Sequence, residues 1–156
     1  MKDLRKYEQY AKKIPLFNGL EPEEVSRVLH IGHKLKYHAG DTIFFQGQMG
    51  NNLFIVFNGV VNIENEGHII SKCRTGDAFG EMSMINHRPH CASATAHTDV
   101  KLFTLSEDQV KELMQENHLS AVMLLNIIHV LSSHLETANT NVAKLRKKLD
   151  NVVKSP

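Results

Sequence analysis

Two cysteines in 156 residues, Cys73 and Cys91, are too few for a disulfide framework and read as reduced thiols. A formal net charge of +1 provides no global field to recruit nucleic acid or a membrane surface. No apolar run looks long enough for a transmembrane helix, and the charged start Met1-Lys2-Asp3-Leu4-Arg5 lacks a signal-peptide core. Catalytic patterns are missing too. There is no glycine-rich P-loop, no Ser/His/Asp or Cys/His order that suggests a nucleophile, and no His-x-His pair with a downstream glutamate. Cys91 and His90 adjoin, but neighbours on an extended strand point to opposite faces, so they form no catalytic pair. These absences lead to the expectation of a soluble, cytoplasmic non-enzyme without a metal or resident cofactor.

What is present divides into three textures. Residues Leu4 to Ile14 read as a short amphipathic helix stopped by Pro15. Glu21-Pro22-Glu23-Glu24 opens a second helix, with proline and acids in the first turn, and Val25, Val28, Leu29 and Ile31 form its apolar face. From Lys34 to Leu105, short β-branched or aromatic runs alternate with turns at Gly40, Gly47, Gly50, Gly59, Gly67, Gly76 and Gly80. Asn58-Gly59, between Leu53–Phe57 and Val60–Ile63, predicts one hairpin, and Glu66-Gly67-His68 predicts another, with Ile69 and Ile70 returning. Ala92 to Ala96 and Val100 to Leu105 close the series. Many short strands at regular spacing predict a jelly-roll-like β-barrel.

The third texture is helical. Ser106-Glu107-Asp108 supplies an N-cap and acids for one helix, and a long stretch from about His118 to Val153 contains neither glycine nor proline. Leu124, Ile128, Leu131, Leu135, Ala138, Val142, Leu145, Leu149 and Val152 follow each other at alternating steps of four and three. That spacing averages 3.5, the seam of a coiled coil. A continuous helix would be about 54 Å long at 1.5 Å per residue, too long for so small a barrel to cover. The seam therefore asks for a second copy, a homodimer. Val122, Leu125, Ile127 and Val130 lie off the seam and are expected to face the barrel. The chain thus divides at 1–117, the N-terminal helices and barrel, and 118–156, the dimerisation helix.

One run carries chemistry: Gly76-Asp77-Ala78-Phe79-Gly80-Glu81-Met82-Ser83-Met84, followed by Arg88-Pro89-His90-Cys91-Ala92-Ser93. It places a glycine, a carboxylate and backbone N–H groups at one turn between apolar stretches, as needed to hold a phosphate beside a sugar hydroxyl. The run resembles the phosphate-binding cassette of cyclic-nucleotide-binding domains, found in the catabolite activator family and in protein kinase A regulatory subunits. Ile14-Pro15-Leu16-Phe17-Asn18-Gly19-Leu20, Ala39-Gly40-Asp41-Thr42-Ile43, Gln46-Gly47, Leu53-Phe54-Ile55-Val56 and Asn58-Gly59 extend the likeness over about residues 13 to 150.

The resemblance implies a mainly β fold with flanking helices: a double-stranded β-helix, or β-roll, with N-terminal helices and a long dimerising C-terminal helix. It implies that Glu81 accepts from the ribose 2′-hydroxyl and that Phe79, Gly80, Met82 and Ser83 frame the phosphate. Asn139 and Thr140 fall where the family's adenine-contacting residues lie. His90, with Cys91 beside it, stands where the family has its phosphate-pairing arginine. An imidazole donates one bond, and only partly as a cation near neutral pH. Arg88, two residues earlier, is the other available cation. In the family's transcription factors a DNA-binding domain follows the helix; the given chain ends at Pro156, and no DNA contact is expected.

The reading that follows is a stand-alone sensor for cyclic AMP or cyclic GMP that signals through its helix to an unidentified protein. With His90 as an imidazolium, its affinity should rise as pH falls through about 6.5. Two alternatives keep the fold: a sensor for haem or another anion, given His87, His90 and Cys91 close together, and a ligand-free partner-binding dimer.

Overall fold

Glu21 and Pro22 start the first long element as their chemistry requires. Proline occupies the first helical position, and Glu24 turns back to accept the Glu21 N–H at 2.8 Å. The computed structural model describes residue 9 and residues 12–153. The helix expected from Leu4 to Ile14 lies mostly outside them. A 3₁₀ turn covers Pro15–Phe17, and helix α1 covers Pro22–Ile31, with Val25, Val28 and Leu29 buried and Ile31 packed beside them.

Eight strands follow: β1 (His33–Tyr37), β2 (Thr42–Phe44), β3 (Asn52–Asn58), β4 (Val60–Asn65), β5 (His68–Arg74), β6 (Ala78–Phe79), β7 (Ser93–Ala96) and β8 (Val100–Ser106). Between β6 and β7 lies the short helix α2 (Glu81–Asn86); after β8 come α3 (Glu107–Leu113) and α4 (Asn117–Val153). The strands form two antiparallel four-stranded sheets, ordered β1-β8-β3-β6 and β2-β7-β4-β5. This is the mainly β roll with flanking helices that the sequence leads one to expect.

The two glycine turns behave differently. Glu66 and Gly67 both take positive φ, 49° and 77°, and close the β4–β5 hairpin in the manner of a primed two-residue turn. Asn58-Gly59, expected to close a hairpin, does not. β3 pairs with β6 and β8, whereas β4 pairs with β5 and β7, so this turn is a corner that passes the chain between sheets. Gly59 has φ +97°, and a Cβ there would lie 2.4 Å from the Asp99 carbonyl oxygen. Only glycine permits so close a crossing.

β3 is buried on both faces and separates two cores. Leu53 and Ile55 face the helices, with Phe17, Val28, Phe103, Leu113, Leu119 and Met123. Phe54 and Val56 face the roll interior, with Phe44, Val61, Phe79 and Leu102. Alternation with period two assigns each side chain to its core.

Ser106 caps α3 through a reciprocal box: Gln109 N–H donates to its hydroxyl at 3.3 Å, and its own N–H donates to Gln109 Oε1 at 2.8 Å. Helix α4 runs 37 residues, about 55 Å. Its first third belongs to the helix-side core through Leu119, Met123 and Ile127, with Val122 and Val130 partly buried. Leu125, expected there too, is exposed. The true docking stripe is 119, 123, 126/127 and 130, and residue 125 lies off it.

An 18-residue window of α4 has mean hydropathy 1.4 and meets a membrane span's length and composition, contrary to the expectation that no run comes close. The docking stripe covers only part of that apolarity: 22% of the window is buried, and Leu124, Leu125 and Ile128 stay exposed. From Leu135 to Val153 every residue is exposed.

Asn126 pins this helix to the N-terminal segment. Its Nδ2 donates to the carbonyls of Leu16 and Asn18, both at 2.8 Å, in a buried setting. Asn126→Leu leaves two carbonyls without a partner, and the expected cost is about 2–4 kcal/mol. Urea unfolding checks this; a midpoint equal to the parent's refutes it.

Candidate functional site

The β6–α2 corner is built by one glycine. Gly80 takes φ +83° and stands at the N-cap of α2, where a Cβ would sit 2.8 Å from the Asn52 carbonyl oxygen and 2.9 Å from the Phe54 ring. The N–H groups of Glu81, Met82 and Ser83, in the first turn of α2, have no intrahelical acceptor by geometry, and among the described residues no side chain caps them. The Ser83 hydroxyl is held between the carbonyls of Gly50 and Arg88, which ties the loop after α2 to the corner. Ser83 thus offers its backbone, not its side chain.

The corner opens into a cavity of about 600 Å³ between the roll and α4. Phe79, Gly80, Glu81, Met82 and Ser83 border it on one side, Ile63, Ile70, Ser71 and Cys73 on another, and Arg88 to Ala92 on a third. Helix α4 adds His134, Thr137, Ala138 and Asn141. Eight of the ten residues singled out from sequence therefore meet at one cavity. Asn139 and Thr140 do not border it in the single chain; both are exposed. The sequence held a signal for the right face. Stepping by three or four from Ile127 and Val130 along the docked stripe reaches 134, 137/138 and 141.

Two buried titratable groups at the cavity, Glu81 and His90, differ sharply. Glu81 is 3% exposed, and its Oε1 accepts from His134 Nδ1 at 2.8 Å. That hydrogen bond, aided by the charges of Glu81 and Asp77 and opposed by burial, holds the His134 pKa above its ordinary value. The helical step placed residue 134 on the cavity face, but nothing local in the sequence pairs it with Glu81.

His90 is 7% exposed and lies flat on Phe44, with ring centroids 3.6 Å apart and planes 8° from parallel. Its backbone is clipped to the β2–β3 loop: its N–H donates to the Gln48 carbonyl, and its carbonyl accepts from Gly47. A Cβ on residue 50 would meet its Nε2 at 2.1 Å, so the bare Gly50 backbone leaves room for the ring. Burial pushes the His90 pKa below the ordinary value. Against the expectation of an imidazolium forming as pH falls through 6.5, burial disfavours the charged ring, which packs as an aromatic wall on Phe44. It also borders a smaller cavity of about 240 Å³ with Tyr37, Gln48, Asn52 and Thr104.

The cysteines play a minor part. Burial pushes the Cys73 thiol up to about 12, and Cys91 is exposed. Among the described residues, no cluster of three or more His, Cys, Asp and Glu could hold a metal ion. Arg88 is exposed at the cavity edge and makes no ion pair among the described residues.

Comparison with known proteins agrees with this geometry. The chain is 34% identical over 113 residues to the cAMP-dependent protein kinase regulatory subunit of Aspergillus fumigatus, covering 70% of this chain and 27% of that protein. It is 34% identical over 134 residues to the cyclic AMP receptor protein of Thermus thermophilus, covering 82% of this chain and 60% of that one. It therefore spans about a quarter of the kinase subunit's length and three-fifths of the receptor's. The crystal structure of the T. thermophilus catabolite activator protein superposes with a TM-score of 0.73 at 30% identity, over 85% of this chain and 63% of that one. A cyclic nucleotide-binding domain from Methylobacillus flagellatus gives 0.80 at 24% identity, over 90% and 85%, a likeness of fold. Residues 34–117, more than half of the chain, match the family profile of the cyclic nucleotide-binding domain, and the chain belongs to that family.

Proposed function

We propose that this domain is a non-enzymatic sensor that takes a cyclic purine nucleotide, cyclic AMP or cyclic GMP, in the cavity under α4. The observation that carries the reading is the buried Glu81 carboxylate beside a corner of uncapped N–H groups, both bordering one cavity of about 600 Å³. A carboxylate accepts from a sugar hydroxyl, and an N–H corner favours phosphate. That volume lies in the usual range for small-molecule sites.

Arg88 takes the cation's place that His90 leaves vacant. Arg88 borders the cavity, and its side chain makes no ion pair among the described residues. From an exposed position it gains less than a buried bidentate arginine would. The expected affinity is accordingly modest.

Signalling runs through α4. Its seam residues Leu124, Ile128, Leu135, Val142, Leu145, Leu149 and Val152 are 48–72% exposed in the single chain. A second copy covers them, and Ala138 belongs to both seam and cavity wall. Ligand contacts on α4 then bias how the pair packs and what downstream protein it engages.

A thermal-shift panel of cyclic nucleotides and their linear 5′-monophosphates tests the reading. A ligand held at 100 times its Kd stabilises by about 2.7 kcal/mol, which appears as a midpoint several degrees higher. No shift with any cyclic nucleotide at millimolar concentration removes the proposal. The buried His90 wall then favours the second reading, a partner-binding dimer on a degenerate cyclic-nucleotide fold.

A further inference from the structure

The Glu81–His134 pair joins the cavity floor to the long helix at a telling position. His134 is the last residue of α4 that is not exposed; every described residue after it is open to solvent. Its imidazole, 40% exposed, reaches a carboxylate that is 3% exposed, on an element 53 residues away in sequence. Glu81 Oε1 is used by this bond, while no partner occupies Oε2 among the described residues, and Oε2 is not sealed from the cavity. A carboxylate has lone pairs for both tasks, so a ligand hydroxyl at Oε2 and His134 at Oε1 are compatible.

From this we infer that His134 is the charge-setting residue of the ligand site: as an imidazolium it neutralises Glu81, so that one carboxylate can serve a sugar hydroxyl without repelling the neighbouring phosphate. The inference deepens the proposed function and rests on it. Without that proton, a monoanionic ligand shares the cavity with an uncompensated carboxylate, and in a poorly hydrated site like charges repel strongly.

The other groups facing the pair do not supply the same service. Asp77, before β6, adds negative charge and favours the protonated imidazole, as does the Ala78 backbone. Glu136, on the same helix, is exposed. Across the cavity, burial lowers the His90 pKa and the Cys73 thiol stays protonated, while Arg88 sits exposed at the edge. His134 is thus the cavity histidine whose protonated form the site favours.

The sign follows. Anion binding favours the imidazolium, so affinity is greatest below the His134 midpoint and falls as pH rises through it. The fall reaches about tenfold for each unit by which ligand raises the His134 pKa. Helix docking has the same sign. The folded-state pKa lies above the unfolded value of about 6.5, so the pair's stabilisation is complete below that value and is lost as pH rises through the folded one.

The experiment is calorimetry with cyclic AMP at about pH 6 and about pH 8.5 on the parent, His134→Asn and His90→Gln, with proton uptake read from buffers of different ionisation enthalpy. The expected result is affinity that falls with pH and net proton uptake in the parent, both lost in His134→Asn and both kept in His90→Gln. A flat pH profile in the parent, or a slope that survives in His134→Asn, overturns the inference. In parallel, the His134 ring resonance is titrated in unliganded parent and in Glu81→Gln. Its midpoint should stand above the ordinary histidine value and drop in the variant; an unmoved midpoint overturns the charge pairing. If no protein binds cyclic AMP at either pH, the ligand role of His134 falls together with the cyclic-nucleotide reading, while a shifted midpoint still marks the helix tether.

Discussion

Replacing His90 by arginine is expected to raise cyclic AMP affinity about 10- to 150-fold at neutral pH. A charge-assisted hydrogen bond contributes about 1.5–3 kcal/mol, and about 1.4 kcal/mol is a factor of ten. The parent gains less at residue 90, because burial on Phe44 disfavours the imidazolium. A guanidinium cannot stay neutral in that slot, and its longer stem carries the charge toward the corner N–H groups of α2. The backbone at residue 90 needs no change, since Gln48 and Gly47 hold it through main-chain bonds. Isothermal calorimetry on both proteins decides the matter. Equal affinities would mean that residue 90 does not address the phosphate, and that Arg88 or the corner alone sets what affinity there is. An arginine does not titrate, so the gain over the parent should be nearly constant between about pH 6.5 and 8.5.

The contrast between Glu81 and His90 illustrates what a single sequence can express. Gly80 and Glu81 were legible because their roles are local: a left-handed turn and a carboxylate one residue after it. The Ser106 cap and the Glu66-Gly67 hairpin were legible for the same reason, each being closed within four residues. Asn58-Gly59 is equally strong as a local turn signal, yet its flanking strands join different sheets. Turn chemistry specifies that the chain bends there; which strand each arm then pairs with depends on β7 and β8, some forty residues on.

The state of His90 and the identity of the helix residues at the cavity were hidden by the same non-locality. Nothing near residue 90 in sequence says that Phe44 will lie against its ring or that Gly50 will leave space for it. The helix face at the cavity is set by where Leu119, Met123 and Ile127 dock, which brings Ala138 and Asn141 to its wall and leaves Asn139 and Thr140, placed by family position, exposed beside it in the single chain. His134 needed Glu81 to acquire meaning, and the two are 53 residues apart.

The second large effect is expected from the seam. Leu145→Lys combined with Leu149→Lys should convert the protein from dimer to monomer at micromolar concentration, read by sedimentation or by light scattering after gel filtration. Both leucines are more than 60% exposed in the single chain, and no described residue from 135 to 153 is buried against the roll. The substitutions thus remove only what a second copy would cover, and the urea midpoint of the β-roll core should stay within error of a monomeric reference. Burying a leucine contributes about 1.5–3 kcal/mol, so four such side chains across a pair account for about 6–12 kcal/mol, a large share of a micromolar dimer's free energy. A cation placed at a seam position adds desolvation to that loss. A parent that sediments as a monomer at about 50 μM would sink the dimer outright, because a micromolar dimer would then be largely assembled. If the dimer holds, the same double variant reports on signalling. Ala138 lies about two to three turns before these leucines on the same stripe and also borders the cavity, so a pair that has lost its distal seam should bind cyclic AMP with altered affinity, whereas a seam uncoupled from the cavity leaves the affinity unchanged.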